Sequence, residues 1–453
     1  MSADWNISPL SELTHKITKG TTPSKKDGGF SDDGINYIKA ESVGFDGRID
    51  ESKFSFISEG VHEKFKRSQL EENDILFSMA GVHLGKTALV EKRHVPANTN
   101  QALALIRPNT TVIYPKFLLY FLQRREVVHF ANNATSQSAQ PNINLKDIGS
   151  IEVCYPDLEE QIGIANKIDC LNQKIELNRQ TNQTLEHIAQ AIFKSWFVDF
   201  DPTRAKITAK KNGKNSELAA MAAIAGKEVD ELNSLSDDQL EKLKSTAALF
   251  PDALVESELG EIPQGWDVKS LDEIAHYQNG LALQKFRPDD EKNFLPVLKI
   301  AQLKKGFANG AEKASPNIKE DCIVNNGDVV FSWSGSLMID VWCGGKAALN
   351  QHLFKVTSEQ YPKWFYYYWT KQHLESFQQI AADKAVTMGH IKRSHLAEAK
   401  CAVPDSDISS FQQIGLLVEK IIEQRLESNS LEQIRDALLP KLLSGELEVS
   451  SAN

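Results

Sequence analysis

No apolar run in the 453-residue sequence approaches the roughly 18 residues a membrane span requires. The longest small-apolar stretch, AAMAAIAG from Ala219, is far shorter. The opening residues MSADWNISPL lack a basic stretch followed by an apolar core, so no secretory signal is expected. Cysteine is scarce: Cys154, Cys170, Cys322, Cys343 and Cys401 make an odd count with no CxxC pair. That argues against a disulfide framework or a zinc ribbon and points to a reducing cytoplasm. The sequence has no HExxH, no GxSxG and no GxGxxG after a strand. There is no NPPY-like tetrapeptide of the kind that holds a flipped base for methylation, and no PD…(D/E)xK nuclease constellation. The 11 histidines show no metal-ligand spacing, so no metal is expected. The segment from Gly81 to Thr87 looks like a phosphate loop, but three residues separate its glycines where four are needed. It reads as a glycine-bent turn between strands. These absences argue against a self-contained enzyme.

What is present is a globular composition, 41% hydrophobic and 25% charged, with length for two or three domains. A net charge of −10 ordinarily counts against nucleic-acid binding. The acidity is unevenly placed, however. Residues 1–156 hold 18 Lys/Arg against 18 Asp/Glu, and residues 261–404 hold 17 against 16. The excess lies in 157–200, 201–260 and 405–453, with 4 against 7, 8 against 11 and 4 against 9. Two nearly neutral blocks therefore alternate with acidic connecting pieces.

The chain is written twice. Trp5 and Leu10 reappear as Trp266 and Leu271, and NDILFSMAG from Asn73 reappears as GDVVFSWSG from Gly327. Asn100-Gln101 matches Asn350-Gln351, YPKFLLYFLQ from Tyr114 matches YPKWFYYYWT from Tyr361, and VCYP ending at Pro156 matches CAVP ending at Pro404. Matches in one order at nearly constant offset mean two copies of a domain, not a short-period solenoid. Each block mixes short β-type runs with one helical segment and is predicted to be an α/β domain with a twisted sheet.

A heptad-like seam follows each block. Ile164, Ile168, Leu171, Ile175, Leu185 and Ile192 carry the first, with Asp157 as its predicted N-cap. Ile414, Val418, Ile421, Leu431 and Leu438 carry the second, with Gly445 as its predicted stop. Both turn polar midway, at Asn178/Asn182 and at Arg425/Ser428. Two surface helices covering a core would show such stripes, but seams of this length favour two helices paired with each other, the polar midpoint fixing register.

The junction strings IFKSWFVDFDPTRAK from Ile192, LFPDALVESELGEIPQGW from Leu249 and LLPKLLSGEL from Leu438 complete a pattern spanning essentially the whole chain. It resembles the specificity subunit of a type I restriction–modification enzyme. The resemblance implies target recognition domains at 1–156 and 261–404, and a central spacer helix at 157–200. A linker with short helices would occupy 201–260, a C-terminal spacer helix 405–445 and a tail 446–453. The spacer helices would form an antiparallel coiled coil in a pseudo-two-fold repeat. It further implies a bipartite double-stranded DNA target, two methylation subunits docked on the helices, and restriction subunits joining them. S-adenosylmethionine, ATP and Mg would sit on those partners, with no cofactor in this chain.

A domain that reads base edges needs donors and acceptors on loops, backed by cations for phosphate. The first half offers Thr21, Thr22, Ser24, Lys25 and Lys26, then Ser136, Gln137, Ser138, Gln140 and Asn142. The second offers Gln284, Lys285 and Arg287, then Lys384, Thr387, His390, Lys392 and Arg393. Each is as readily a solvated loop residue as a DNA contact. Two rival readings stay open: a specificity subunit whose partner fuses methylation and cleavage, and a coiled-coil scaffold that binds only proteins.

Overall fold

The computed structural model describes residues 5–44, 46–81, 84–133, 142–383, 389–405 and 408–447. By its internal contacts the chain divides into two units, Met1–Lys174 with Leu431–Asn453, and Ile175–Ser430.

In the first unit the strand Ile75–Ser78 is buried throughout. Successive side chains of a strand point to opposite faces. Ile75 and Phe77 accordingly enter one core cluster with Phe117, while Leu76 enters another with Ala88 and Leu105. A strand covered on both sides reads as an unbroken apolar run, which is why ILF shows no alternation. It lies in a four-stranded antiparallel sheet ordered Thr14–Lys19, Leu103–Pro108, Ile75–Ser78, Thr87–Leu89. A second sheet is ordered Ser55–Ile57, Ile35–Ile38, Ala97–Thr99, Gln69–Leu70 and contains one parallel pairing, Ile35–Ile38 with Ala97–Thr99. Asn6–Pro9 and Glu152–Tyr155 form a separate ribbon.

The second unit repeats every one of these pairings. Its antiparallel sheet runs His276–Asn279, Leu353–Thr357, Val329–Ser332, Met338–Val341. Its mixed sheet runs Lys313–Ala314, Leu295–Leu298, Ala347–Leu349, Ile323–Val324, with the parallel pairing again between its two inner strands. The ribbon is Asp267–Ser270 with Lys400–Val403. Val329 and Phe331 face one cluster and Val330 the other, as in the first copy. The duplication is thus a duplication of topology, mixed α/β in both halves.

The first long helix spans Leu158–Phe193. Asp157 caps it, its Oδ1 accepting from the Glu160 amide at 2.9 Å. A single π-helical turn, Lys194–Val198, follows, and the helix stops where Phe200 adopts a left-handed φ of 57°. The second spans Gln412–Leu443. Gly445, at φ 69°, ends it while the Glu446 amide returns to the Lys441 carbonyl at 3.0 Å.

The far end of each long helix completes a core other than the one that precedes it in sequence. Leu442 and Leu443 are buried in the first unit beside Ile164, Ile168 and Phe117. Phe193, Trp196 and Phe197 are buried in the second unit. There the Phe197 ring lies 5.6 Å from Trp266, 5.6 Å from Trp364 and 5.2 Å from Phe411. Deleting such a ring leaves a cavity that surrounding aromatics cannot collapse into. Phe197→Ala should therefore cost about 3–5 kcal/mol, read as a lower urea midpoint at unchanged slope.

The two helices run in opposite directions: Arg435 donates to Asn172 at 3.2 Å in the first unit, and Asn178 donates to Glu427 at 2.8 Å and Ser428 at 3.3 Å in the second. Of the seam, Ile164, Ile168, Ile414, Val418 and Ile421 are buried, while Leu171, Ile175, Leu185, Ile192, Leu431 and Leu438 are half-buried. One element of the polar midpoint requires correction. Ser428 meets Asn178, but Arg425 turns away and donates to Asp340 Oδ1 at 2.8 Å and the Val341 carbonyl at 3.0 Å. Burial opposes the guanidinium's charge, yet Asp340 outweighs it and holds the group above its ordinary pKa. A long cation in this setting is stabilised by a carboxylate more than by a neutral amide, so it does not pair in the seam.

The acidic linker carries helices Asp201–Lys211, Ser216–Ala225 and Asp237–Ala247 around a small core of Ala220, Met221, Leu232 and Ala247. Among the described residues, no helix is long and apolar enough to cross a membrane.

Candidate nucleic-acid interface

In the first unit the chain leaves Thr14–Lys19 at Gly20, where a side chain would collide with the carbonyl oxygens of Thr99 and Asn100. Thr21 then bonds through its amide to the Thr99 carbonyl at 3.0 Å, and the Thr22 hydroxyl donates to Gln101 Oε1. Gln101 and Ala102 form the turn between Ala97–Thr99 and Leu103–Pro108. The Ala102 carbonyl accepts from the Met79 amide at 2.8 Å, and the Met79 carbonyl accepts from the Ile143 amide at 3.0 Å. Asn142 in turn bridges to Ala80. Three loops far apart in sequence, at Thr21–Thr22, Gln101 and Asn142, thus lie along one edge.

The second unit builds the same edge. Leu281 bonds to the Leu349 carbonyl at 2.9 Å, Gln351 to the Leu281 carbonyl at 2.9 Å, and Trp333 to the His352 carbonyl at 3.4 Å. Ile391 bonds to the Trp333 carbonyl at 3.0 Å, and Ser334 bridges to His390. A cleft of about 820 Å³ opens here, its lining including Gln284, Arg287, Lys299, Lys313, Gln351 and His352. The lining is mixed in charge, since Glu291 and Glu312 share it and Glu312 pairs with Lys299; its amides, with Arg287 and Lys313, are what suit a polyanion with hydrogen-bonding groups along it.

The sequence candidates divide on this geometry. Thr22, Ser24, Lys25, Lys26, Asn142, Gln284, Lys285, Arg287, His390, Lys392 and Arg393 are exposed. Thr21 is more committed internally, its hydroxyl accepting from Arg67 and its carbonyl from Tyr37. Ser24 ties a turn to Asp27 with its hydroxyl at 2.6 Å. Hydrogen bonds from Lys64 and then Ser24 hold the Asp27 carboxyl down to about 2, so it stays ionised beside Lys25 and Lys26. Arg393 donates to the Tyr277 carbonyl at 2.9 Å and covers the Phe354 ring, an internal role for that cation. Ser136, Gln137, Ser138, Gln140, Lys384 and Thr387 lie outside the described residues.

Sequence reasoning missed Gln101, Gln351, His352, Lys299 and Lys313 as site residues. The repeated Asn-Gln pair was the available signal, since a dipeptide kept in both copies marks a shared local geometry. Lys299 and Lys313 carried no signal, because only tertiary folding brings them to the cleft.

No cluster of three or more His, Cys, Asp or Glu residues able to hold a metal occurs among the described residues. Of the glycine-bent segment, residues 82 and 83 lie outside the described residues; Gly81 and Gly85 adopt φ of 67° and 80°, and Thr87 is buried in the sheet.

The sequence matches the family described as Type I restriction modification DNA specificity domain over residues 2–187 and 263–435. It is 29% identical over 403 residues to the Type I restriction enzyme HindI specificity subunit of Haemophilus influenzae, covering 84% of this chain and 88% of that one. It is 24% identical over 462 residues to the MjaIX specificity subunit of Methanocaldococcus jannaschii, covering 98% and 94%. The crystal structure of a type I restriction–modification S subunit from M. genitalium shares the fold, with a TM-score of 0.51 at 15% identity over 97% and 96% of the two chains. With two matched domains, each carrying the same loop edge, the chain belongs to the type I restriction–modification DNA specificity family and is a DNA sequence-recognition subunit.

Proposed function

We propose that each unit reads one half of a bipartite duplex target and that the long helices dock two methylation subunits, which restriction subunits then join. The observation that carries this reading is the loop edge assembled twice, each time from three sequence-distant segments. The chain itself is non-catalytic and acts in the cytoplasm; S-adenosylmethionine, ATP and Mg belong to its partners. Two results test this. The chain purified free of partners should transfer no methyl group to DNA, and measurable transfer would overturn the non-catalytic role. Its binding to random duplex should weaken steeply as salt rises, as phosphate neutralisation requires. A protein-only scaffold would show no such binding.

A further inference from the structure

The two copies share three residues at the cleft edge: Gly20 with Gly280, Asn100 with Asn350, and Gln101 with Gln351. The structure explains the first two pairs. A side chain at either glycine would collide with the carbonyl oxygens of the crossing strand, Thr99 and Asn100 in one copy, Leu349 and Asn350 in the other. Each asparagine closes its own turn, Asn100 Oδ1 accepting from the Ala102 amide at 3.2 Å and Asn350 Oδ1 from the His352 amide at 3.2 Å. These two devices hold the following residue in place.

That residue is glutamine both times, and no contact common to the two copies among the described residues accounts for it. Gln101 is exposed and accepts from Thr22, whereas Gln351 is half-buried and its amide nitrogen lies 3.4 Å from the His352 ring. Among the described residues the two side chains have no internal contact in common. What surrounds them also differs: Thr22 against Ala282, Ala102 against His352, Met79 against Trp333, Asn142 against His390. A residue that follows the same glycine and asparagine devices in both copies, without a shared partner among the described residues, is kept for something outside the protein.

Resting on the DNA-reading function above, we propose that Gln101 and Gln351 make equivalent hydrogen bonds to the phosphate backbone and set the register of each half-site. The differing neighbours, above all His352 with its Nδ1 3.0 Å from Ser334 Oγ, are left to discriminate bases. A group common to two readers of different sequences must touch what those sequences share, and phosphate is that feature. A glutamine amide donates to phosphate without adding charge, and so positions DNA without contributing to counterion release.

The test uses the full chain assembled with its methylation partners. Gln101→Ala and Gln351→Ala should each lower affinity roughly tenfold, as loss of a hydrogen bond to a charged group does. The double variant should lose about a hundredfold, the sites being independent. Specific and random duplex should weaken by the same factor, with Tm, salt slope and the selected consensus unchanged. Gln351→Glu should bind less well than Gln351→Ala, with the difference closing as salt screens the new repulsion. Relaxed preference at one position of a half-site would make the glutamine a base reader and overturn the proposal. So would unchanged affinity, or a loss that merely follows a lowered Tm. If the wild-type assembly shows no sequence preference, the underlying function fails instead, which is a different result.

Discussion

Matched insertions of four residues, one after Asn178 and one before Glu427, should lengthen the gap in the recognised site by one to two base pairs and leave both half-sites unchanged. Each long helix carries residues of both units, the boundaries falling after Lys174 and after Ser430. Four residues add about 6 Å of helix at ~1.5 Å per residue, against ~3.4 Å per base pair. They also make a stutter, which a helix pair absorbs by local unwinding. The insertion point is chosen where the pair is already polar, so no apolar layer is broken. Matching matters because Asn178 hydrogen-bonds both Glu427 and Ser428, and lengthening one helix alone would separate that contact. Sequencing of methylated sites in a host carrying the altered chain measures the gap. A changed half-site with an unchanged gap would refute a ruler role for the helices.

A fragment of residues 1–205 should form a two-fold dimer that directs its methylation partners to a palindromic site. In the whole chain the first unit ends its core with Leu442 and Leu443. The matching positions at the end of the first long helix are Trp196 and Phe197, so a second copy can offer those rings to the same surface. The fit is not free of strain, because larger side chains in a packed core cost about 1–3 kcal/mol. At the midpoint Asn178, which meets Glu427 and Ser428 in the whole chain, would face Thr181 and Asn182 of the other copy, and the two amides, being both donors and acceptors, can pair reciprocally. Asn178 and Asn182 already keep buried carbonyl oxygens without a partner among the described residues, so this layer tolerates incomplete pairing. Two-fold symmetry of the protein is mirrored in the DNA it reads. Sedimentation decides the matter: a fragment that is folded yet monomeric at micromolar concentration, with partners present, sinks the idea.

Much of this fold was legible because the chain repeats itself in order. The doubled strings predicted two α/β blocks, and apolar spacing predicted two long helices with their caps at Asp157 and Gly445. Three things were not legible, for one reason. Arg425 leaves the seam for Asp340, the ends of the helices close cores distant in sequence, and Lys299 and Lys313 meet Gln351 only across a cleft. Local periodicity reports which face of an element is apolar, not what covers it. The glutamine pair was visible as a repeat, but only the turn geometry separates its role from that of the asparagine beside it.

The crossed ends of the helices bear on how the chain is made. Leu442 and Leu443 leave the ribosome more than 250 residues after Phe117 and Ile168, the side chains they cover. Through most of synthesis the first half must wait with that apolar surface open, and chains that wait in this way are prone to misassembly. On a polysome, the nearest complementary surface is the Trp196–Phe197 end of a neighbouring nascent chain. Premature termination past residue 205 would therefore release a product able to pair with itself, one that competes with the full-length chain for partners and directs methylation to a different sequence.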